Sequence, residues 1–129
     1  MTKSVVILGY PLKHSISPFF QQAAFDYYQL DLRYEKWEIE PSKLGTTISV
    51  LYQSSFLGAN VTIPYKEEVI SLLDEMDELA VEIGAVNTIV NRDGKLFGYN
   101  TDAPAFIRAL RQDGGFEPEG KDVTLLGAG

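Results

Sequence analysis

Cysteine is absent from this sequence, histidine and tryptophan occur once each, and no apolar run approaches the ~18 residues of a membrane helix. Without cysteine there is no disulfide, no thiolate zinc site and no iron–sulfur cluster, and no metal site is expected. Positive charge is also scarce. The 129 residues hold 11 Lys and Arg against 18 Asp and Glu, a formal net charge of −7. Nucleic acids and anionic membranes call for a clustered basic surface, so both drop out as partners. The run Val5–Gly9 is too short for the apolar core of a secretory leader. A cysteine-free chain is compatible with the cytoplasm.

What is present is ordinary globular material, 45% apolar and 22% charged. Ser4–Gly9 reads as a buried, β-branched strand. Ser17 as N-cap and Pro18 at the first helical position then start a helix. Its Phe19, Phe20, Ala23, Ala24, Tyr27 and Leu30 recur at three- and four-residue steps, which predicts a buried face, and the stripe Phe19, Phe20, Phe25, Tyr27 reads as core. Arg33–Ile39 suits an edge strand, Pro41 opens a second helix through Leu44, Ile48, Leu51 and Tyr52, and Leu57–Thr62 is a strand stopped by Pro64. Lys66–Leu73 and Glu75–Ile83 read as two acidic amphipathic helices. Ala85–Asn91 and Lys95–Tyr99 flank Arg92-Asp93-Gly94 and predict a hairpin. Thr101 or Asp102 caps a helix that turns Phe106, Ile107 and Leu110 inward and stops at Gly114-Gly115; Val123–Leu126 is a last strand. Strands alternating with helices predict an α/β fold: a three-layer open sheet, mostly parallel with a β-hairpin edge, and helices on both faces.

Four stretches are polar where a plain domain needs only a turn: Tyr10–Pro18, Asn60–Lys66, Ala85–Thr88 and Tyr99–Asp102. The first, second and fourth follow the carboxyl end of a predicted strand, the rim where open α/β sheets bind ligands. Together they offer the hydroxyls of Ser15, Ser17, Thr62 and Thr101, the amides of Asn60, Asn87 and Asn100, and one Lys66/Asp102 pair. Hydroxyls and amides both donate and accept, so this inventory suits a small polyhydroxylated ligand. Plainer readings exist for each group. On spacing alone Lys66 and Asp102 make a surface ion pair, Ser17 an N-cap, and Asn60 and Asn87 loop ties. His14, alone in the serine loop, reads as packing or a turn hydrogen bond rather than as a catalyst.

The literal strings go further. Gly9-Tyr10-Pro11-Leu12-Lys13-His14-Ser15-Ile16-Ser17-Pro18, Gly58-Ala59-Asn60-Val61-Thr62-Ile63-Pro64-Tyr65-Lys66, Gly84-Ala85-Val86-Asn87-Thr88 and Gly98-Tyr99-Asn100-Thr101-Asp102, in that order, resemble the shikimate dehydrogenase family. The resemblance runs over essentially the whole chain. It implies NADPH-dependent, reversible reduction of 3-dehydroshikimate to shikimate on the route to chorismate and aromatic amino acids, in the cytoplasm. It implies Lys66 and Asp102 as the catalytic pair, Ser15 and Ser17 on the ligand carboxylate, and Asn60, Thr62, Asn87, Thr101 and Asp102 around the ring hydroxyls. It also implies a division: residues 1–101 as substrate-binding domain, and 102–129 as a connecting helix and the first strand of a Rossmann domain. Gly127, Ala128 and Gly129 would begin the NADP phosphate loop. The chain alone is then expected to be inactive. In the family, helices from the far C-terminus pack on this first domain, so an uncovered apolar patch, with self-association or segment exchange, is expected. Many members carry His then Asn where this chain has Gln21-Gln22, which predicts a local packing change. A quinate-preferring dehydrogenase and a non-catalytic shikimate-binding module are the alternatives.

Overall fold

A computed structural model describes residues 1–127. In chain order the elements are β1 (Lys3–Gly9), α1 (Ser17–Tyr27), β2 (Leu32–Glu38), a 3₁₀ turn (Pro41–Lys43), α2 (Leu44–Val50), β3 (Phe56–Val61), a second 3₁₀ turn (Glu68–Leu72), β4 (Glu75–Met76), α3 (Glu78–Ile83), β5 (Thr88–Arg92), β6 (Lys95–Tyr99) and α4 (Asp102–Gln112). The six strands form one sheet in the order β2-β1-β3-β5-β6-β4. β1 pairs in parallel with β2 and β3, and β4 with β6, whereas β5 runs antiparallel to both its neighbours. The sheet is therefore mixed and mostly parallel, as its residues predict.

Strand alternation divides the core. Val6, Leu8, Ala59, Val61, Ile89 and Leu96 point to one face, where Leu44, Ile48 and Leu51 of the α2 segment, Val69 and Ala80 of α3 close over them. Leu8, Leu51, Val69 and Leu96 are wholly buried, and each such side chain contributes about 1.5–3 kcal/mol. On the other face Ile7, Leu12 and Tyr34 form a smaller cluster with Val5 and Phe25, covered by α1. Arg92 lies over the rings of Phe97 and Tyr99 further along that face, at 5.1 and 5.6 Å.

Several expectations are corrected. Helix α1 packs on its other side: Phe19 is 83% exposed and Tyr27 80%, Phe20, Ala23, Ala24 and Leu30 also face out, and of the aromatic stripe only Phe25 joins the core. Both faces of α1 carry aromatic residues, so periodicity alone cannot orient it. Gln22 does. Its side-chain amide nitrogen, Nε2, donates to Leu32 O at 3.2 Å and to Asp26 Oδ1 at 2.9 Å, while its Oε1 accepts from Tyr34 N at 2.8 Å. The side chain thus pairs with edge strand β2 as a neighbouring strand would. Ser17 is the first helical residue rather than the N-cap; Ile16 occupies that place and makes no side-chain cap.

Helix is not formed at Glu75–Met76. Asp74 N bonds to Leu96 O at 3.0 Å, Asp74 Oδ2 accepts from Leu96 N at 2.7 Å, and Asp77 N reaches Gly98 O at 2.9 Å, so the segment is drawn out along β6. The stretch Lys66–Leu73 is helical only as the 3₁₀ turn Glu68–Leu72. β4 therefore takes the sheet edge, and the β5–β6 hairpin lies one strand in. Its turn uses Asp93 at φ 52° and Gly94 at φ 80°, the left-handed pair that a two-residue hairpin needs. In α4, Phe106 is 64% exposed, while Ile107 and Leu110 are half-buried. Val123–Leu126 is not a strand. Among the described residues no neighbouring strand offers it partners, and Val123, Leu125 and Leu126 are 73%, 79% and 94% exposed. Ala128 and Gly129 lie outside the described residues.

Arg111 closes the turn after α4 by bonding both carboxylate oxygens of Glu117, with nitrogen–oxygen distances of 2.9–3.1 Å. That pairing holds the Glu117 carboxyl below the usual carboxylate range and raises Arg111. A depressed carboxyl favours the closed turn above its ordinary pKa and releases it as pH falls through the lowered value. Arg111→Ala should move the Glu117 midpoint up, read from its side-chain carbon shift; an unmoved midpoint refutes the pairing. Gln22→Ala should lower stability by about 1–2 kcal/mol in urea unfolding, since two strand-edge groups lose their partner. A change within error would show that α1 is oriented by something else.

Candidate active site

The topology gathers the polar stretches at one rim. β1, β3 and β6 point the same way and end there, and β5, running opposite, starts there. These four strands are adjacent in the sheet, so the rim from β1 to β6 spans three strand spacings, ~14 Å. That suits one small ring.

At the β3–β6 end, Lys66 Nζ donates to Asp102 Oδ2. Asn87 connects the pair to the sheet. Its Nδ2 donates to Asp102 Oδ1 at 2.9 Å and Thr101 Oγ1 at 2.8 Å, and its Oδ1 accepts from Thr101 N at 2.8 Å and Thr88 Oγ1 at 3.2 Å. Lys66 is placed by its neighbour: Tyr65 is fully buried and donates to Ile39 O, and burial raises its phenol pKa. The backbone carbonyl of Lys66 accepts from Val86 N at 2.7 Å. The Lys66 and Asp102 side chains are 33% and 54% exposed, and an ion pair this wet adds at most about 1 kcal/mol to stability. Lys66 keeps two N–H donors beyond the one given to Asp102, and each Asp102 oxygen keeps a lone pair.

At the β1 end, Ser15, Ser17 and Thr62 line a single concavity of about 380 Å³ with Tyr10, Pro11, Lys13 and His14. Leu12, 2% exposed, pins the loop from below, and its amide donates to Glu38 Oε2 at 2.5 Å. Tyr10 N bonds to Ile63 O at 3.0 Å, which ties the loop to the residue after Thr62. Gly9 permits the approach, because a Cβ there would stand 2.5 Å from Thr62 Cγ2 and 2.6 Å from Leu12 Cδ2. Hydroxyls at this place, with Lys13 beside them, suit a carboxylate. His14 is exposed on the same loop.

Asn60 is placed differently. It sits on the α1 face of β3, register partner of Ile7, and its Oδ1 accepts from Tyr34 Oη at 2.8 Å. Burial pushes the Tyr34 phenol up to about 12, so it remains a donor through neutral pH. The structure thus brings Lys66, Asn87, Thr101 and Asp102 into one network, and Ser15, Ser17 and Thr62 into one concavity, with Asn60 held by Tyr34. Residue types alone did not single out Tyr34, Glu38 or the part played by Asn100. Asn100 Oδ1 accepts from Asp102 N at 3.0 Å and Ala103 N at 3.2 Å, so its side chain caps α4 in place of Thr101 or Asp102. An Asn two residues before the first helical position was the available signal.

No group of three or more His, Cys, Asp or Glu is placed to hold a metal among the described residues. Of the phosphate-loop positions only Gly127 is described, at φ 104°, with neither strand nor helix beside it.

Residues 7–89 match the family model described as the shikimate dehydrogenase substrate binding domain. The chain is 50% identical over 128 residues to the shikimate dehydrogenase (NADP(+)) of Halothermothrix orenii, covering 99% of this chain and 44% of that protein. Among solved structures, Aquifex aeolicus shikimate dehydrogenase superposes with a TM-score of 0.82 at 43% identity, over 85% of this chain and 41% of that one. Thermus thermophilus shikimate 5-dehydrogenase, in complex with NADP(H) and shikimate, gives 0.82 at 38% identity, over 87% and 42%. The chain thus spans less than half the length of the relatives it matches. Matched to that family model over more than half its length and to the fold of those structures, the chain belongs to the shikimate dehydrogenase family and corresponds to the substrate-binding domain.

Proposed function

We propose that this chain is the substrate-binding part of an NADP-dependent shikimate dehydrogenase, which interconverts 3-dehydroshikimate and shikimate in aromatic amino acid biosynthesis in the cytoplasm. The observation that carries this reading is the Lys66–Asp102 pair held by Asn87 at the sheet rim, beside a serine-lined concavity. Ser15 and Ser17 donate to the ligand carboxylate and Thr62 borders it. Lys66, Asn87, Thr101 and Asp102 meet the ring oxygens, and Asn60 supports them from the strand behind.

Reduction of a ring ketone leaves negative charge on its oxygen. A lysine ammonium within hydrogen-bond reach neutralises that charge and delivers a proton, and Asp102, already bonded to Lys66, keeps the ammonium aimed. In the reverse direction the pair draws the proton from the hydroxyl. Residues 1–101 form the substrate domain in this reading, and residues 102–129 lead into an NADP domain like the one that completes the relatives. The chain by itself binds shikimate but does not turn it over.

Lys66→Ala, in a polypeptide that joins this chain to its cofactor domain, should lower kcat by about 10²–10⁴ with a much smaller change in KM. Near-normal turnover would sink the catalytic assignment, and faster turnover of quinate than of shikimate would move the substrate. The exposed Phe19, Tyr27 and Phe106 also support self-association of the isolated chain. Sedimentation at high concentration should give a mass above the 14.4 kDa monomer; a monodisperse monomer overturns this.

A further inference from the structure

Asn100 is a buried polar residue, 7% exposed, standing between the end of β6 and the first turn of α4. An amide is costly to bury unless it is fully partnered, and a surface helix start needs no buried cap. The partners of Asn100 all belong to segments that shape the site. Its Nδ2 donates to Ala85 O at 3.1 Å, two residues before Asn87, and its Oδ1 accepts from the backbone amides of Asp102 and Ala103. One rigid group therefore joins the segment before β5, which carries Asn87, to the helix turn that brings Asp102. Asn87 repeats the connection from the outer side, through Thr101 N and Asp102 Oδ1. Clamped at its backbone amide from inside and at Oδ1 from outside, Asp102 is left with Oδ2 aimed at Lys66.

We propose that Asn100 is a positioning residue for the Lys66–Asp102 pair: it sets Asp102 against Asn87 from within the core, so that the pair is assembled before a ligand arrives. It touches neither ligand nor Lys66 and acts through Asp102. A plain helix cap would act otherwise. Removing a plain cap loosens the start of α4 and leaves the Asn87 side chain as it was. Removing a positioning group frees the Asn87 amide as well.

The test uses the 129-residue chain with Asn100→Ala and Asn100→Ser. In the ligand-free protein, Asn100→Ala should speed hydrogen exchange at the Asp102 and Ala103 amides about tenfold and shift the Asn87 side-chain amide signals to solvent-exposed values, whereas Asn100→Ser, which retains an acceptor, should restore most of both. Unchanged exchange, or loosened α4 amides with an unaltered Asn87 amide, overturns the proposal. Asn100→Gly, a helix start that glycine tolerates, provides the same readout if the alanine variant fails to fold. A second arm rests on the functional reading above. Affinity is measured for shikimate and for cyclohex-1-ene-1-carboxylate, which has the carboxylate but none of the ring hydroxyls. Asn100→Ala should erase about tenfold of the preference for shikimate and leave the deoxy acid unaffected; equal loss for both acids overturns the proposal. If the unsubstituted chain binds neither acid, the functional reading fails and the exchange arm alone decides the role of Asn100.

Discussion

The rest of the site depends on the side-chain amide of Asn87. Both of its N–H donors and its oxygen are engaged, and by the backbone it also joins two strands: its carbonyl accepts from Val61 N at 2.8 Å and its amide donates to Tyr99 O at 3.1 Å. A residue bonded to the last residue of β3, the last residue of β6 and the first residue of α4 leaves those three ends few independent ways to move. The Lys66–Asp102 pair inherits this rigidity. It is assembled by neutral groups, and so it does not rely on the attraction between its own half-solvated charges.

That division of labour has an energetic logic. A half-exposed ion pair is weak as a fold-holding device, and two long side chains lose rotamer freedom when they meet. Where the supporting amides already fix one partner, only the lysine has freedom left to lose. Charges held in place before a reaction need no reorganisation while it occurs, which is how polar groups stabilise developing charge. The other end of the site follows the same plan on a different foundation. Buried Leu12, the Glu38 carboxylate and the close approach at Gly9 hold the serine loop against Thr62, so the hydroxyls stand on a packed base.

Much of this was legible in the residues. Ser4–Gly9 and Leu57–Thr62 read as strands and are so within a residue, and Asp93-Gly94 marked its hairpin because few residues adopt two successive left-handed conformations. The polar stretches, read at strand ends, gather at one rim of the sheet. What escaped was decided by partners remote in sequence. The burial of α1 turns on Gln22 reaching Leu32 and Tyr34 of the edge strand, while its aromatic residues point both ways. Glu75-Met76 carries a helical pattern but lies beside β6 because Asp74 bonds to Leu96. Asn100 looked like one more polar residue of a motif, since burial of an amide leaves no mark on its neighbours in the chain.

The antiparallel course of β5 has a geometric effect on where the chain can change. Because β5 begins at the rim that holds Lys66 and Asp102 and β6 returns to it, the tip at Arg92–Lys95 projects from the opposite end of the sheet. Two strands of five residues, each rising ~3.3 Å per residue, place that tip roughly 15 Å from that rim. Its backbone is exposed and its turn is local. An insertion, a fluorophore or an affinity handle at this end would leave the working rim as it is, so the hairpin is a natural point of attachment for following ligand capture.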